Sequence, residues 1–261
     1  MLSKLLKHEF KATARLLLPL YLVLLVLTIV DRIALGIDFK GALEVIPGFA
    51  TFAYITSIIA IAVISLVIVI SRFYKNLMTD EGYLMFTLPV KPFQLINSKL
   101  LISMFWNLIS MVLIIASLFG VFINQERYGM LKDGLHMVVA EMSKEFGAYN
   151  MTLLTVELIA LIIIALINNI LIIYASIAIG QLFNGHKVLG SFAAFIGIST
   201  VLQIIITLVL VSLGAIFHRT FEEINSLPQI VFPISIGMTV IANVLFYWIT
   251  NHIFQRRLNL E

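Results

Sequence analysis

The sequence predicts an all-α integral membrane protein, a single domain over residues 1–261 that crosses the bilayer six times. Three observations lead there. The chain is 61% hydrophobic and only 12% charged, whereas soluble domains run near half apolar and a quarter charged. Its apolar residues gather in runs long enough to cross about 30 Å of hydrocarbon, which takes roughly 20 helical residues. The basic residues between the runs favour alternate loops, as a threaded chain requires.

The first span runs from about Leu16 to Leu35, and its uncharged stretch, Leu16 to Val30, is short. Arg15 and Arg32 extend it by snorkelling to the two interfaces. The others cover Gly48 to Ile70, Leu100 to Ile123, about Met151 to Phe183, Val188 to about Phe217, and Ile230 to Phe254. The fourth is longer than a bilayer needs. No small-residue cleavage site closes the first run, so it reads as a retained span.

Basic loops stay in the cytoplasm. With the N-terminus inside, the inner segments hold Lys4, Lys7, Lys11, Arg15, Arg72, Lys75, Lys91, Lys99, Lys187, Arg256 and Arg257. The outer ones hold only Arg32, Lys40, Arg127, Lys132, Lys144 and Arg219. Acids show the reverse bias: Glu9, Asp80, Glu81 and Glu261 lie inside and most others outside. Both termini are therefore predicted to be cytoplasmic.

Residues 1–15 carry an apolar stripe of Leu2, Leu5, Leu6 and Phe10 opposite Lys4, Lys7, His8, Lys11 and Arg15. That spacing predicts an amphipathic helix lying in the membrane surface. The inner loop from Ser71 to Lys99 contains Thr79-Asp80-Glu81-Gly82-Tyr83-Leu84-Met85-Phe86-Thr87-Leu88-Pro89. Thr79 or Asp80 can cap a helix start. Pro89 disfavours helix at Leu88, so about two turns fit between them. Pro92 suits the first turn of the helix leading into span three. Bulky apolar residues on a cytoplasmic loop call for a contact, with lipid, a partner protein or the chain's own helices.

On the other side, Tyr128 to Asn150 spaces Leu131, Leu135, Val138, Val139, Met142 and Phe146 as a helix does. A helix resting on the outer leaflet or covering the outer mouth is expected. Between spans five and six, Pro228 and Pro233 suggest short re-entrant pieces over residues 217–233.

Catalytic and metal chemistry find little support. Gly180-Gln181-Leu182-Phe183-Asn184-Gly185-His186-Lys187 resembles a phosphate-binding loop, but its lysine is displaced by one position and no strand precedes it. The five histidines are scattered, without zinc spacing. Cysteine is absent, which excludes disulfides and thiol catalysis. Ser199 lacks a histidine at matching depth, so an intramembrane serine protease is disfavoured. The net charge of +3 is too small and scattered to mark a nucleic-acid surface. Glu157 is either an ionisable residue entering the hydrocarbon of span four or, as its place six residues from Met151 favours, one at the outer headgroup level. Asn168, Asn169 and Gln203 lie deeper, where polar groups bond between helices.

The run Asp80-Glu81-Gly82-Tyr83-Leu84-Met85-Phe86-Thr87-Leu88-Pro89-Val90, followed by Ser98-Lys99-Leu100-Leu101, resembles permease subunits of ABC-2-type transporters. The basic helical start, six spans and inner termini resemble them too. The resemblance implies two six-span subunits, identical or related, working with two separate ABC ATPase subunits in a bacterial plasma membrane. It implies that residues 79–89 form the coupling helix that docks on the ATPase, and that the start is the interfacial connecting helix. This chain would then bind no cofactor and catalyse no reaction, ATP and magnesium sitting on the partner. Small permeases of this kind resemble exporters of amphipathic or antimicrobial peptides, including phenol-soluble-modulin-type toxins; others in the family move lipids or drugs. The competing expectation is an ion- or proton-coupled carrier acting alone, which wants more buried charge and broken spans.

Overall fold

A computed structural model describes residues 2–37, 39–78, 92–122, 125–183, 185–220 and 227–256. Among them are six α-helices: α1 (Leu2–Gly36), α2 (Val45–Met78), α3 (Pro92–Phe122), α4 (Gln125–Gly180), α5 (Lys187–Thr220) and α6 (Leu227–Arg256). A 3-10 turn, Gly41–Glu44, leads into α2. Each helix contains a stretch long and apolar enough to cross a membrane, so the chain is a multi-pass helical membrane protein.

Three helices differ from the sequence expectation. The amphipathic start is not a separate surface helix: α1 runs unbroken for 35 residues and carries Pro19 inside it. Nothing in residues 2–18 breaks a helix, so the amphipathic turns pass directly into span one. Likewise α4 runs for 56 residues and joins the outer amphipathic segment to span four. At 1.5 Å per residue that is about 84 Å, nearly twice the thickness of a bilayer with its headgroups. At the end of the chain, α6 includes Pro233 without interruption. The expected re-entrant segment therefore reduces to the end of α5, the start of α6, and residues 221–226, which lie outside the described residues.

The chain falls into two compact units. The first comprises residues 1–72 and 97–136, the second residues 73–96 and 137–261.

In the first unit α1, α2 and α3 meet along a seam of heptad spacing. Ala14, Leu17, Tyr21 and Leu24 of α1 face Tyr54, Ile61 and Ile68 of α2 and Ile102, Trp106 and Val121 of α3. Steps of three and four residues on α1, and seven on α2, keep one stripe of each helix turned inward. Close packing and buried hydrogen bonds hold such a seam, because lipid offers no hydrophobic drive between helices. Tyr21 Oη and Ser110 Oγ lie 2.7 Å apart, and Tyr54 Oη and Ser117 Oγ 2.9 Å apart. Ser57 and Ser65 return their hydroxyls to backbone carbonyls of their own helix, which lets small polar residues sit in the seam at little cost.

In the second unit the buried side chains include Ile170, Leu171, Tyr174, Ala175 and Ala178 on α4, with Phe246, Thr250 and Phe254 on α6. Asn168 Nδ2 donates to Asn243 Oδ1 at 2.9 Å, and Asn243 Nδ2 donates to the Ile164 carbonyl at 3.1 Å. The deep asparagine of span four thus bonds across to α6, the packing role expected of it. No residue in the most apolar window of α5 is buried.

Candidate functional site

The loop that the sequence singles out lies outside the described residues: Thr79, Asp80, Glu81, Gly82, Tyr83, Leu84, Met85, Phe86 and Pro89 all fall there. Its two stems are described, and they are tightly held. On the α2 side Phe73 is fully buried. It stacks on Tyr174 of α4 with centroids 3.8 Å apart and meets Phe254 of α6 edge-on at 5.6 Å. On the α3 side Leu95 and Ile96 are buried, as are Ser98 and Lys99.

The first unit carries an ionic cluster at the same end of its helices. Glu9 of α1, Arg72 of α2 and Lys99 of α3 converge there. Lys99 Nζ donates to Glu9 Oε1 at 2.6 Å, and Arg72 Nε stands 3.6 Å from Glu9 Oε2. The Lys99 side chain is 2% exposed and that of Glu9 9%. Burying such charges is tolerated because each meets its opposite. Thr13, one turn further along α1, accepts a 2.7 Å hydrogen bond from Trp106 Nε1. A cavity of about 20 Å³ lies between these groups and Ser103 and Asn107, room for a single water.

These contacts also set the register of α1 against α3. Its bonds to α3 join residues separated by a nearly constant interval: 90 for Glu9–Lys99, 93 for Thr13–Trp106, and 89 for both Tyr21–Ser110 and Arg32–Val121. Two helices with a constant offset run side by side in parallel. Lys99 immediately precedes the apolar run of α3, and Arg72 immediately follows that of α2. Glu9 is therefore level with the residues that flank the apolar runs of α2 and α3, and the helix that contains span one begins at Leu2. Lys4, Lys7, Lys11 and Arg15, expected on a surface helix, are exposed on the side of α1 away from Glu9.

At the other end, Asp31 is fully buried. It lies on the same seam, seven residues beyond Leu24. Thr51 Oγ1 donates to its Oδ1 at 2.8 Å, while its Oδ2 has no hydrogen-bond partner among the described residues. The neighbouring Arg32 bonds the Val121 carbonyl at 2.9 Å. Glu157 is half-buried, and its Oε2 likewise lacks a hydrogen-bond partner among the described residues.

The stretch resembling a phosphate-binding loop is explained by packing. It forms the turn between α4 and α5. A Cβ on Gly180 would collide with Ser191 Oγ and lie within 2.6 Å of its Cα; one on Gly190 would come within 2.7 Å of the Phe183 ring. The glycines let two helices approach closely where the chain reverses.

Sequence reasoning placed Glu9 and Arg72 only as inner charges, gave Lys99 a further place only in the run that carries the family resemblance, and gave Phe73 and Tyr174 no role. The available signal was charge bookkeeping: Glu9 is the sole acid in the first thirty residues, amid a basic stretch. No protein-family model, curated protein or solved structure matches this chain.

Proposed function

We propose that this chain is the membrane-spanning permease subunit of an ATP-driven ABC exporter in a bacterial plasma membrane. It works paired with a second copy or a related chain, coupled to two ATPase subunits that bind ATP and magnesium. It catalyses nothing itself. Both of its termini are cytoplasmic, and its cargo is an amphipathic or antimicrobial peptide, with lipids or drugs as the alternative cargo of the same machinery.

The observation that carries this reading is the loop from Thr79 to Pro89 together with its stems. The motif places Tyr83, Leu84 and Phe86 on a loop whose own position calls for a partner. Coupling needs an attachment that moves packed helices rather than a slack linker. Phe73, wedged between Tyr174 and Phe254, supplies such an attachment on the α2 side.

The test is purification from the native membrane, with partner identification and ATP-driven transport in vesicles. An ATPase co-purifies, and Tyr83→Asp/Phe86→Asp abolishes both its binding and transport while the permease still accumulates. Undiminished ATPase binding and transport in that variant would falsify the assignment of the loop.

A second reading has one specific observation behind it. Asp31, buried with an oxygen that has no hydrogen-bond partner among the described residues, is the kind of group an ion- or proton-coupled carrier uses. The same vesicles separate the two readings: a carrier stops when an ionophore collapses the ion gradient and ignores ATP depletion.

A further inference from the structure

We infer that the exposed face of α1 is a binding site for anionic phospholipid, in the leaflet on the N-terminal side of the bilayer. At 100° per residue, Lys4, Lys7, Lys11 and Arg15 fall within about 80° of arc, roughly opposite Glu9. All four are exposed, and none has an ion-pair partner among the described residues. Among the described residues the single acid nearby is Glu9, which is buried and committed to Lys99 and Arg72. The ridge therefore presents four uncompensated positive charges along about 17 Å of helix.

Depth decides what can neutralise them. Glu9 is level with Lys99 and Arg72, which flank the apolar runs of α3 and α2. Lys11 is two residues, about 3 Å, further toward the bilayer centre, and Arg15 six residues, about 9 Å. A soluble protein does not reach a side chain at that depth. A lipid phosphate does, because long cationic side chains reach back to the headgroups and draw them inward. Basic clusters beside a spanning helix attract anionic lipid. Here two of the four cations lie below the headgroup level, so the ridge grips individual lipids rather than hovering over the surface. This inference does not depend on the transport reading, nor on which side of the membrane holds the N-terminus.

The full-length chain is reconstituted in nanodiscs of equal parts phosphatidylglycerol and phosphatidylcholine. Spin-labelled lipids of each kind report the fraction held at the protein surface. Wild type retains phosphatidylglycerol preferentially. Lys11→Gln/Arg15→Gln lowers that preference by roughly fivefold or more, from the worth of each cation near an anionic surface. Lys132→Gln/Lys144→Gln, which removes two exposed cations from α4, leaves it unchanged. Size-exclusion profiles confirm that both variants are folded, as expected for exposed positions. Equal retention of the two lipids by wild type overturns the inference. So does a preference that survives Lys11→Gln/Arg15→Gln. Loss of a co-purifying soluble protein in that variant, with lipid preference intact, overturns it too and makes the ridge a protein-docking face.

Discussion

Removing Glu9 should destabilise this protein far more than removing the cation it pairs with. Glu9→Leu strips the carboxylate from Lys99, whose side chain is 2% exposed. Breaking a buried pair from one side costs about 3–5 kcal/mol. Lys99 keeps a further interaction, and the adjacent cavity of about 20 Å³ admits one water. The expected loss is therefore near the lower bound, about 3 kcal/mol. For a chain of this size that lowers the melting temperature by roughly 6–12 °C. Lys99→Met is milder, because Arg72, already 3.6 Å from Glu9 and 25% exposed, can turn to neutralise it. In Glu9→Leu/Lys99→Met neither charge of the close pair remains, so the double variant should melt close to Lys99→Met alone. Scanning fluorimetry on purified protein in nanodiscs reads all three. Additive losses in the double variant, or a Glu9→Leu protein melting within about 2 °C of wild type, would refute the reasoning.

Two further outcomes follow from the second unit. Phe73→Ala removes a fully buried ring stacked on Tyr174 and set against Phe254. It should cost about 3–5 kcal/mol, read as a lower melting temperature, and transport should fall further than the amount of folded protein does. Gly180→Ala drives a methyl into Ser191. It should destabilise by about 1–3 kcal/mol, and a compensating Ser191→Gly change should recover part of that loss in the same assay; no recovery would mean the backbone, not the hydroxyl, sets the limit.

Hydropathy was enough to find the six spans, because a run of Leu, Ile, Val and Phe has no other stable place in a chain this apolar. It set the start of span one at Leu16, although the helix itself begins at Leu2. A lysine and an arginine inside the first helix count as breaks in any window, although on a lipid-facing side they can snorkel. The register of that helix became visible only through Lys99, Trp106, Ser110 and Val121, partners that lie about 90 positions away. The length of α4 was hidden differently. Residues 128–150 alternate polar and apolar as a surface helix would, and nothing local says whether such a helix bends before the next span. At the candidate site the loop motif was legible and its anchors were not. Phe73 reads as one more aromatic at a span end until Tyr174 and Phe254 are beside it.

The pairing of Glu9 with Lys99 also bears on how the protein is made. Ninety residues separate the two, and chains grow at about 5–20 residues per second. The carboxylate thus emerges roughly 5–18 s before its closest partner is synthesised. Arg72 arrives sooner, as the second helix is completed, and offers a provisional counter-ion. The first two helices can thereby stay together at the insertion machinery until the third slides in and takes over the carboxylate. A three-helix unit whose key bond closes last is assembled as a set, with its opening helix waiting on the third.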